Sequence, residues 1–278
     1  MTSVAIIGCG WLGQSLAQCL KTRDIDVVGT FQSQARQTLL EEAGVASCAL
    51  SLPLSADFQE QSVAPIMSKN TWVVAITPGI RQGRTDYPEK VAQLLSLARK
   101  AGVKRLILVS STAVLNGLTG DVDEYAKATA VDQKVSLIQM AEQAILTAQS
   151  NEMETAIIRM AGLIGEDRHP GRFLRKGKVY EHGNAPVNLI HQKDATGLLI
   201  KLVEAEVVSG VYHGVSPDTL SKQVYYQQAA QVLGLPAPEF ETVARDTEFK
   251  RIVSPRTDQL LGYQYQIDDL VKWLNSTD

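Results

Sequence analysis

The first residues that could do chemistry stand at the start of the chain. Gly8-Cys9-Gly10-Trp11-Leu12-Gly13 is a GxGxxG, placed directly after the apolar run Val4-Ala5-Ile6-Ile7 and before a helical stretch over residues 14–21. A strand that feeds a glycine turn and then a helix N-terminus gathers unpaired backbone N–H groups and the positive end of the helix dipole, an arrangement that suits a phosphate. Gly8 serves the tight turn, Gly10 lets the backbone approach a pyrophosphate, and Gly13 lets the helix lie close against the strand. The expectation is a dinucleotide held by this turn, Trp11 and Leu12 included.

Two further groups carry reactive side chains. Ser110-Ser111-Thr112 offers three hydroxyls in a row after the apolar run 105–109. They could hold a carbonyl or hydroxyl of a substrate; equally, hydroxyls at a strand end satisfy local backbone groups. Arg168-His169-Pro170-Gly171-Arg172, with Arg175, Lys176 and Lys178, concentrates positive charge in a chain whose net charge is −3. Guanidinium forks match phosphate oxygens, so a phosphorylated or nucleotide-linked substrate is one reading and a solvated surface loop the other.

The elements that must position these groups alternate. Strands are predicted over residues 26–30, 45–50, 72–76, 105–109 and 155–159, and helices over 33–43, 87–101 and 132–150, with Gly44 and Gly102 ending the first two. Alternation of this kind gives a parallel sheet with right-handed crossovers, an α/β doubly wound Rossmann-type fold. Ligands then belong at the C-terminal strand ends, where Gly8, Thr30, Thr77-Pro78 and Ser110 fall. Residues 1–165 read as the dinucleotide-binding domain, and strands at 187–190 and 211–215 as returning to its sheet within 187–217. Residues 166–186 read as a substrate-side loop of little regular structure, and 218–278 as a small C-terminal cap.

The second strand also bears on the nucleotide. An NAD site places an Asp or Glu near its end, about 20 residues past the glycines, to take the ribose hydroxyls. Here that end reads Gly29-Thr30-Phe31-Gln32-Ser33, with Arg36 one turn on. A carboxylate would repel a 2′-phosphate, and none is present, so NADP is expected ahead of NAD through Thr30, Gln32, Ser33 and Arg36. The alternative for Arg36 is a solvated helix residue.

With 278 residues, 45% apolar and 21% charged, the chain can bury a full core. Its charge supplies no overall basic field for nucleic acid or an anionic membrane. No apolar run approaches the roughly 18 residues of a membrane span and no leader pattern opens the chain, so a cytoplasmic protein is expected. Cys9, Cys19 and Cys48 read as reduced thiols. His182 and His213 lack companion ligands at metal spacing, and no metal site is expected.

Taken together in order, several segments resemble a known family. Gly8 to Gly13, Ser110-Ser111-Thr112-Ala113-Val114, Arg159-Met160-Ala161-Gly162-Leu163-Ile164-Gly165, Asn188-Leu189-Ile190-His191-Gln192-Lys193-Asp194 and Leu261-Gly262-Tyr263 are similar to the extended short-chain dehydrogenases/reductases of the NAD-dependent epimerase/dehydratase branch. The Trp11-Leu12-Gly13 and Arg168 to Arg172 segments are similar to an uncharacterised bacterial subgroup of atypical members. The resemblance implies that Met160 borders the cofactor and that Arg168, His169 and Arg172 lie over the substrate mouth. It also implies that a homodimer is a common assembly. His191 with Asp194 could look catalytic, but the residues read better with Asn188 and His191 fixing a turn or lining the cleft and Asp194 capping a helix that starts at Ala195.

That family uses a Tyr four residues before a Lys to move a proton, since a nearby ammonium lowers a phenol that would otherwise titrate near 10. No Tyr in this sequence has a Lys four residues on. Anchored on Glu142, the pattern places Lys134 where the Tyr belongs and Ile138 where the Lys belongs, and Leu115 replaces a second common Tyr. Ser111 and Thr112 remain, and Lys134 or Tyr125 could substitute as proton carrier, although most lone lysines are solvated. Two functions stay open: an NADP-preferring oxidoreductase or epimerase-like enzyme on a small polar substrate, or an NAD(P)-binding sensor without turnover.

Overall fold

The computed structural model describes residues 2–242 and 247–276. Seven strands form one wholly parallel sheet: β1 (Ser3–Ile7), β2 (Asp26–Phe31), β3 (Ala46–Ala49), β4 (Thr71–Val74), β5 (Arg105–Ser111), β7 (Glu154–Met160) and β11 (Gly210–Gly214). Their order across the sheet is 3-2-1-4-5-7-11, so the direction of winding reverses between β1 and β4. A crevice opens at such a reversal, because the crossover helices on either side diverge from it.

Each strand is apolar on both faces because helices cover both. Val4 and Ile6 bury into one core cluster, and Ala5 and Ile7 into the other across the sheet. The first face carries α1 (Trp11–Lys21) and α6 (Gln192–Glu204). On the second lies α4 (Tyr87–Lys100) beside α5 (Gln133–Leu146), with the short helix α3 (Ala64–Met67) towards the β2–β3 edge, whereas α2 (Gln34–Glu42) buries Leu40 in the first cluster. Gly44 and Gly102 adopt φ +63° and +68° just past α2 and α4, the left-handed turn that closes a helix.

The remaining strands are short and pair outside the main sheet: β6 (Gly120–Val122) with β13 (Lys250–Ile252), β8 (Gly162–Ile164) with β10 (Leu189–His191), and β9 (Val179–Tyr180) with β12 (Glu239–Phe240). This corrects the expectation for 187–190, which was a return to the main sheet. Only β11 returns there, since β10 runs along β8, and Val187 and Leu189 bury against the cap. The segment 166–186 has little regular structure, as expected, its elements being a 3₁₀ turn at Pro170–Phe173 and the two-residue strand β9. The cap comprises α7 (Lys222–Val232), α8 (Pro255–Leu261) and α9 (Leu270–Ser276). Its own cluster joins Tyr225, Ala229, Leu270, Trp273 and Leu274 to Ile164, Val187 and Leu189.

Asp194 was expected to cap α6, and it does not. His191 holds the N-cap, its Nδ1 accepting from Lys193 N–H at 3.2 Å. The Asp194 carboxylate, fully buried in the first turn, instead accepts from Tyr263 O–H (3.0 Å), Gln266 N–H (2.7 Å) and Ile267 N–H (3.1 Å). A buried carboxylate with three donors ties the C-terminal segment to the helix, a set of partners that lies about 70 residues away in sequence. Among the described residues no helix is long and apolar enough to cross a membrane.

Candidate functional site

The crevice between β1 and β4 holds two connected cavities. The first, about 550 Å³, lies over the ends of β1 and β2 and is bordered by Gly8, Gly10, Thr30, Gln32, Ser33 and Arg36 among others. Its floor is the glycine turn, and each glycine answers to a different constraint. Gly8 sits at φ +98° with its α-carbon close to Ala75, where a Cβ would come within 3.0 Å of the Ala75 carbonyl oxygen. A Cβ on Gly13 would lie 2.4 Å from the Gly8 carbonyl oxygen, so helix α1 can approach the turn only with glycine there. A Cβ on Gly10 would meet nothing within 4 Å, because Gly10 borders the cavity.

Helix α1 begins at Trp11, three residues earlier than its periodicity suggests. Gly10 is its N-cap, has no side chain to cap with, and no acid follows in the first turn. The helix N-terminus therefore keeps free donors and an uncompensated positive pole facing the cavity, which fits the pyrophosphate of a dinucleotide. Thr30 supports the turn: its buried hydroxyl accepts from Gly8 N–H at 2.8 Å, while its carbonyl accepts from Cys9 N–H at 3.1 Å. Cys9 is packed beneath the turn, and burial pushes its thiol up to about 12, so it is a space-filling group and no nucleophile.

The first cavity is bordered by Arg36 on α2 and by Arg84 and Lys90 from the segment after β4, with no carboxylate among its described lining residues. Arg36 is half-buried, its Nη1 donating to Gln14 Oε1 at a long 3.4 Å. Arg84 pairs with Asp86 (3.0 Å), and the buried Lys90 pairs with the same carboxylate (2.8 Å), which holds Asp86 below the usual carboxylate range. Sequence reasoning missed Arg84, which has no local pattern and reaches the site through the turn after β4.

The second cavity, about 280 Å³, continues past Gly10 and Thr77 to Pro78, Ser110, Ser111, Ile138, Met160 and Arg168. Trp11 is the joint on this side. Its ring lies against Gly165, Arg168 stacks over it with the guanidinium carbon 4.9 Å from the ring centre, and Gln192 Nε2 donates to its carbonyl at 3.0 Å. The hydroxyl of Ser110 turns inward instead and donates to Glu142 Oε1 at 2.6 Å. Glu142 is buried on α5 and also accepts from Arg159 Nε and, at 2.8 Å, Nη2. This buried ion pair locks the end of β5 against α5 and β7, fixing where the next residue, Ser111, stands.

Beyond Ser111 a third cavity of about 460 Å³ opens under the cap, bordered by Thr112, Asn116, Lys134, Asn188, Lys222 and Lys250 among others. Lys134 and Ile138, one turn apart on α5, both face this region, Lys134 the third cavity and Ile138 the second. Ser111 Oγ accepts from Ala113 N–H at 3.2 Å and borders both spaces. The Lys250 ammonium donates to the Thr112 carbonyl (3.1 Å) and to Asn116 Oδ1 (3.0 Å). Burial, helped by the charges of Lys134 and Lys222, brings Lys250 down to about 8. Lys222 is lowered too, by burial, against an opposing effect of Glu181.

Most other anticipated residues lie apart from these cavities, Asn188 excepted. Tyr125 is 72% exposed and borders none of them. His169 is buried in the cap, Nδ1 accepting from Gly171 N–H at 3.2 Å and its ring 6.0 Å from that of Trp273, and burial lowers its pKa. His191 is fully buried, edge-on to Trp273 at 4.8 Å, and is likewise lowered by burial despite Glu166 at 3.7 Å. Arg172 is exposed on the 3₁₀ turn. Asn188 borders the third cavity, but its amide is spent on β13, donating to Lys250 O (3.0 Å) and accepting from Ile252 N–H (2.7 Å). Lys222 and Lys250 were not singled out from sequence, where each is one more polar residue in an unpatterned C-terminal third.

Comparison with known proteins agrees with this geometry. The NAD(P)H-binding family profile matches residues 8–204. Protein YeeZ of Escherichia coli K12 is 30% identical over 271 residues, 97% of each chain. Among solved structures, UDP-glucuronic acid 4-epimerase from Bacillus cereus, in complex with UDP-glucuronic acid and NAD, superposes with a TM-score of 0.80 at 14% identity, covering 99% of this chain and 98% of that one. The human epimerase family protein SDR39U1 with NADPH superposes at 0.72 and 20% identity, covering 99% of both. Such identities establish a common epimerase/dehydratase-like fold and leave the reaction of this chain to its own residues. The glycine turn, the strand order and the match over residues 8–204 agree: the chain belongs to the NAD(P)H-binding family.

Proposed function

We propose that the protein is an NADP-preferring oxidoreductase of epimerase/dehydratase type, acting on a small polar, anionic substrate. The observation that carries the nucleotide preference is the first cavity, which Arg36 and Arg84 border with no carboxylate among its described lining residues. Gly8, Gly10, Thr30 and Arg36 would hold the adenosine end of a dinucleotide in the first cavity, and Pro78, Ser110 and Met160 would border its nicotinamide in the second; when bound, the nucleotide would supply or accept a hydride. Ser111 and Thr112 hold the substrate oxygen. Lys134, standing beside Ser111 where the resemblance places a tyrosine, moves the proton.

The test is a thermal-shift titration with NAD, NADP and their reduced forms, followed by turnover on a panel of small acids, phosphorylated alcohols and their carbonyl counterparts. Ligand at 100 times its dissociation constant stabilises by about 2.7 kcal/mol, well within reach of the method. NADP stabilisation exceeding that by NAD is expected, with turnover lost in Lys134→Met. Cofactor binding without oxidation or reduction across the panel would favour a binding protein that senses nucleotide state, the second reading that the missing Tyr and Lys keep in view.

A further inference from the structure

The third cavity has a charge composition that the cofactor does not explain. Three amines, Lys134 from α5, Lys222 from the start of α7 and Lys250 from β13, border a space with no Asp or Glu among its described lining residues. They come from three separate elements, two of them in the cap, so the cluster exists only when the cap is seated on the Rossmann domain. Amines brought this close repel one another, and proteins normally relieve such repulsion with an acid. Here the acid acting on Lys222 is Glu181, exposed on the turn after β9, and among the described residues the acceptors for Lys250 are a carbonyl and an amide oxygen.

The fold holds this arrangement in place. Asn188 brackets Lys250 through the carbonyl of that residue and the N–H of Ile252, fixing the backbone of β13. The ammonium is aimed by two neutral acceptors, the Thr112 carbonyl and Asn116 Oδ1, which leave its charge uncompensated. Ser111, the candidate oxygen-holding residue, borders the same space.

We infer that this cavity is the anion subsite of the substrate, with Lys222 and Lys250 clamping a phosphate or carboxylate group so that the carbon to be oxidised or reduced lies at Ser111. This deepens the oxidoreductase reading and rests on it for the word substrate; the anion subsite itself can be tested without turnover. An anion here supplies the missing counter-charge, and ordered amines at a partly buried site bind it more strongly than scattered surface lysines do.

Pyridoxal 5′-phosphate is a suitable probe, because its aldehyde condenses with a neutral amine, releasing water, only where the phosphate can be held nearby. The full-length protein, saturated with NADP, is treated with limiting reagent at pH 8, reduced with borohydride and mapped by mass spectrometry. The adduct is expected to concentrate on the cavity lysines, Lys250 above all, since burial brings its ammonium down to about 8. Pyridoxal without the phosphate should label Lys250 about tenfold less, and Lys222→Met should lower labelling by the phosphate form to a similar degree, with recovery in Lys222→Arg.

Protection by inorganic phosphate and glycerol phosphate, but not by malonate or succinate, identifies a phosphate subsite; the reverse identifies a carboxylate. Adducts spread evenly over surface lysines, or equal labelling by pyridoxal and its phosphate, would overturn the inference. Thermal stabilisation by NADP is read on the same Lys222→Met sample. Its retention alongside lost labelling supports the subsite, whereas its absence in the parent protein would overturn the cofactor reading and leave the labelling result standing alone.

Discussion

Replacement of Arg36 by alanine should separate the two nucleotides. The Arg36 guanidinium borders the first cavity, is half-buried, and has a single long hydrogen bond to Gln14 Oε1 at 3.4 Å, so it is free to turn towards a ribose phosphate. A pair of unit charges 4 Å apart is worth about 1 kcal/mol in water and about 4 kcal/mol near a protein surface, and Arg36 lies between these limits. Hydrogen bonds to charged groups contribute about 1.5–3 kcal/mol net, which narrows the expected loss to about 1.5–2.5 kcal/mol. In dissociation constant that is about 10- to 70-fold for NADP, against less than about twofold for NAD, which has no 2′-phosphate. Arg84 should preserve a remnant of the preference, reduced because its own guanidinium is paired with Asp86. Isothermal titration at low and at about 0.5 M salt measures both nucleotides, and the NADP advantage should shrink as salt screens the contact. Equal losses for the two nucleotides, or a parent protein that binds NAD as well as NADP, would refute the assignment of the phosphate to Arg36.

Three further outcomes follow from the geometry. Gly10→Ala should leave stability within about 0.5 kcal/mol of the parent, since its Cβ meets nothing, while weakening cofactor binding. Gly13→Ala should destabilise by about 1–3 kcal/mol through overpacking against the Gly8 carbonyl; chemical denaturation and cofactor titration distinguish the two, and identical behaviour contradicts the division of roles. Glu142→Gln removes the charge facing Arg159 and should cost about 3–5 kcal/mol, as breaking a buried ion pair does. At about 2–4 °C per kcal/mol, thermal unfolding should fall by at least about 6 °C, and a fall under about 3 °C would show that the network can be satisfied otherwise. His169, His191 and His213 are buried and have pKa values lowered by that burial, so the unfolded chain takes up protons more readily than the folded one. Stability is therefore full above the unfolded value of about 6.5 and declines as pH falls below it towards the folded values. A urea midpoint unchanged between pH 8 and pH 5 would contradict this.

That the glycine turn and the end of β2 border one cavity was legible because the signals are local. Gly8, Gly10 and Gly13 act within one turn of chain, and Gln32, Ser33 and Arg36 follow at the next strand end, so spacing along the sequence translates directly into position in space. The substrate half was not legible in this way. Lys134 was singled out through the family pattern, but Lys222 and Lys250, dozens of residues further on and without a motif of their own, were not. His169 and Arg172 illustrate the opposite case: the charged stretch 168–172 looks uniform in sequence, yet the 3₁₀ turn sends His169 into the cap, Arg172 to solvent and Arg168 onto Trp11.

By itself, then, the sequence determined the alternation of strands and helices, the parallel sheet and the phosphate-binding turn, because periodicity and glycine stereochemistry are properties of neighbouring residues. Tertiary structure alone decided that His191 and not Asp194 caps α6, that β10 follows β8 instead of joining the main sheet, and that three distant lysines share one cavity. Those outcomes turn on which polar group finds a buried partner and which charges the cap brings together, and such long-range choices leave no trace in local spacing.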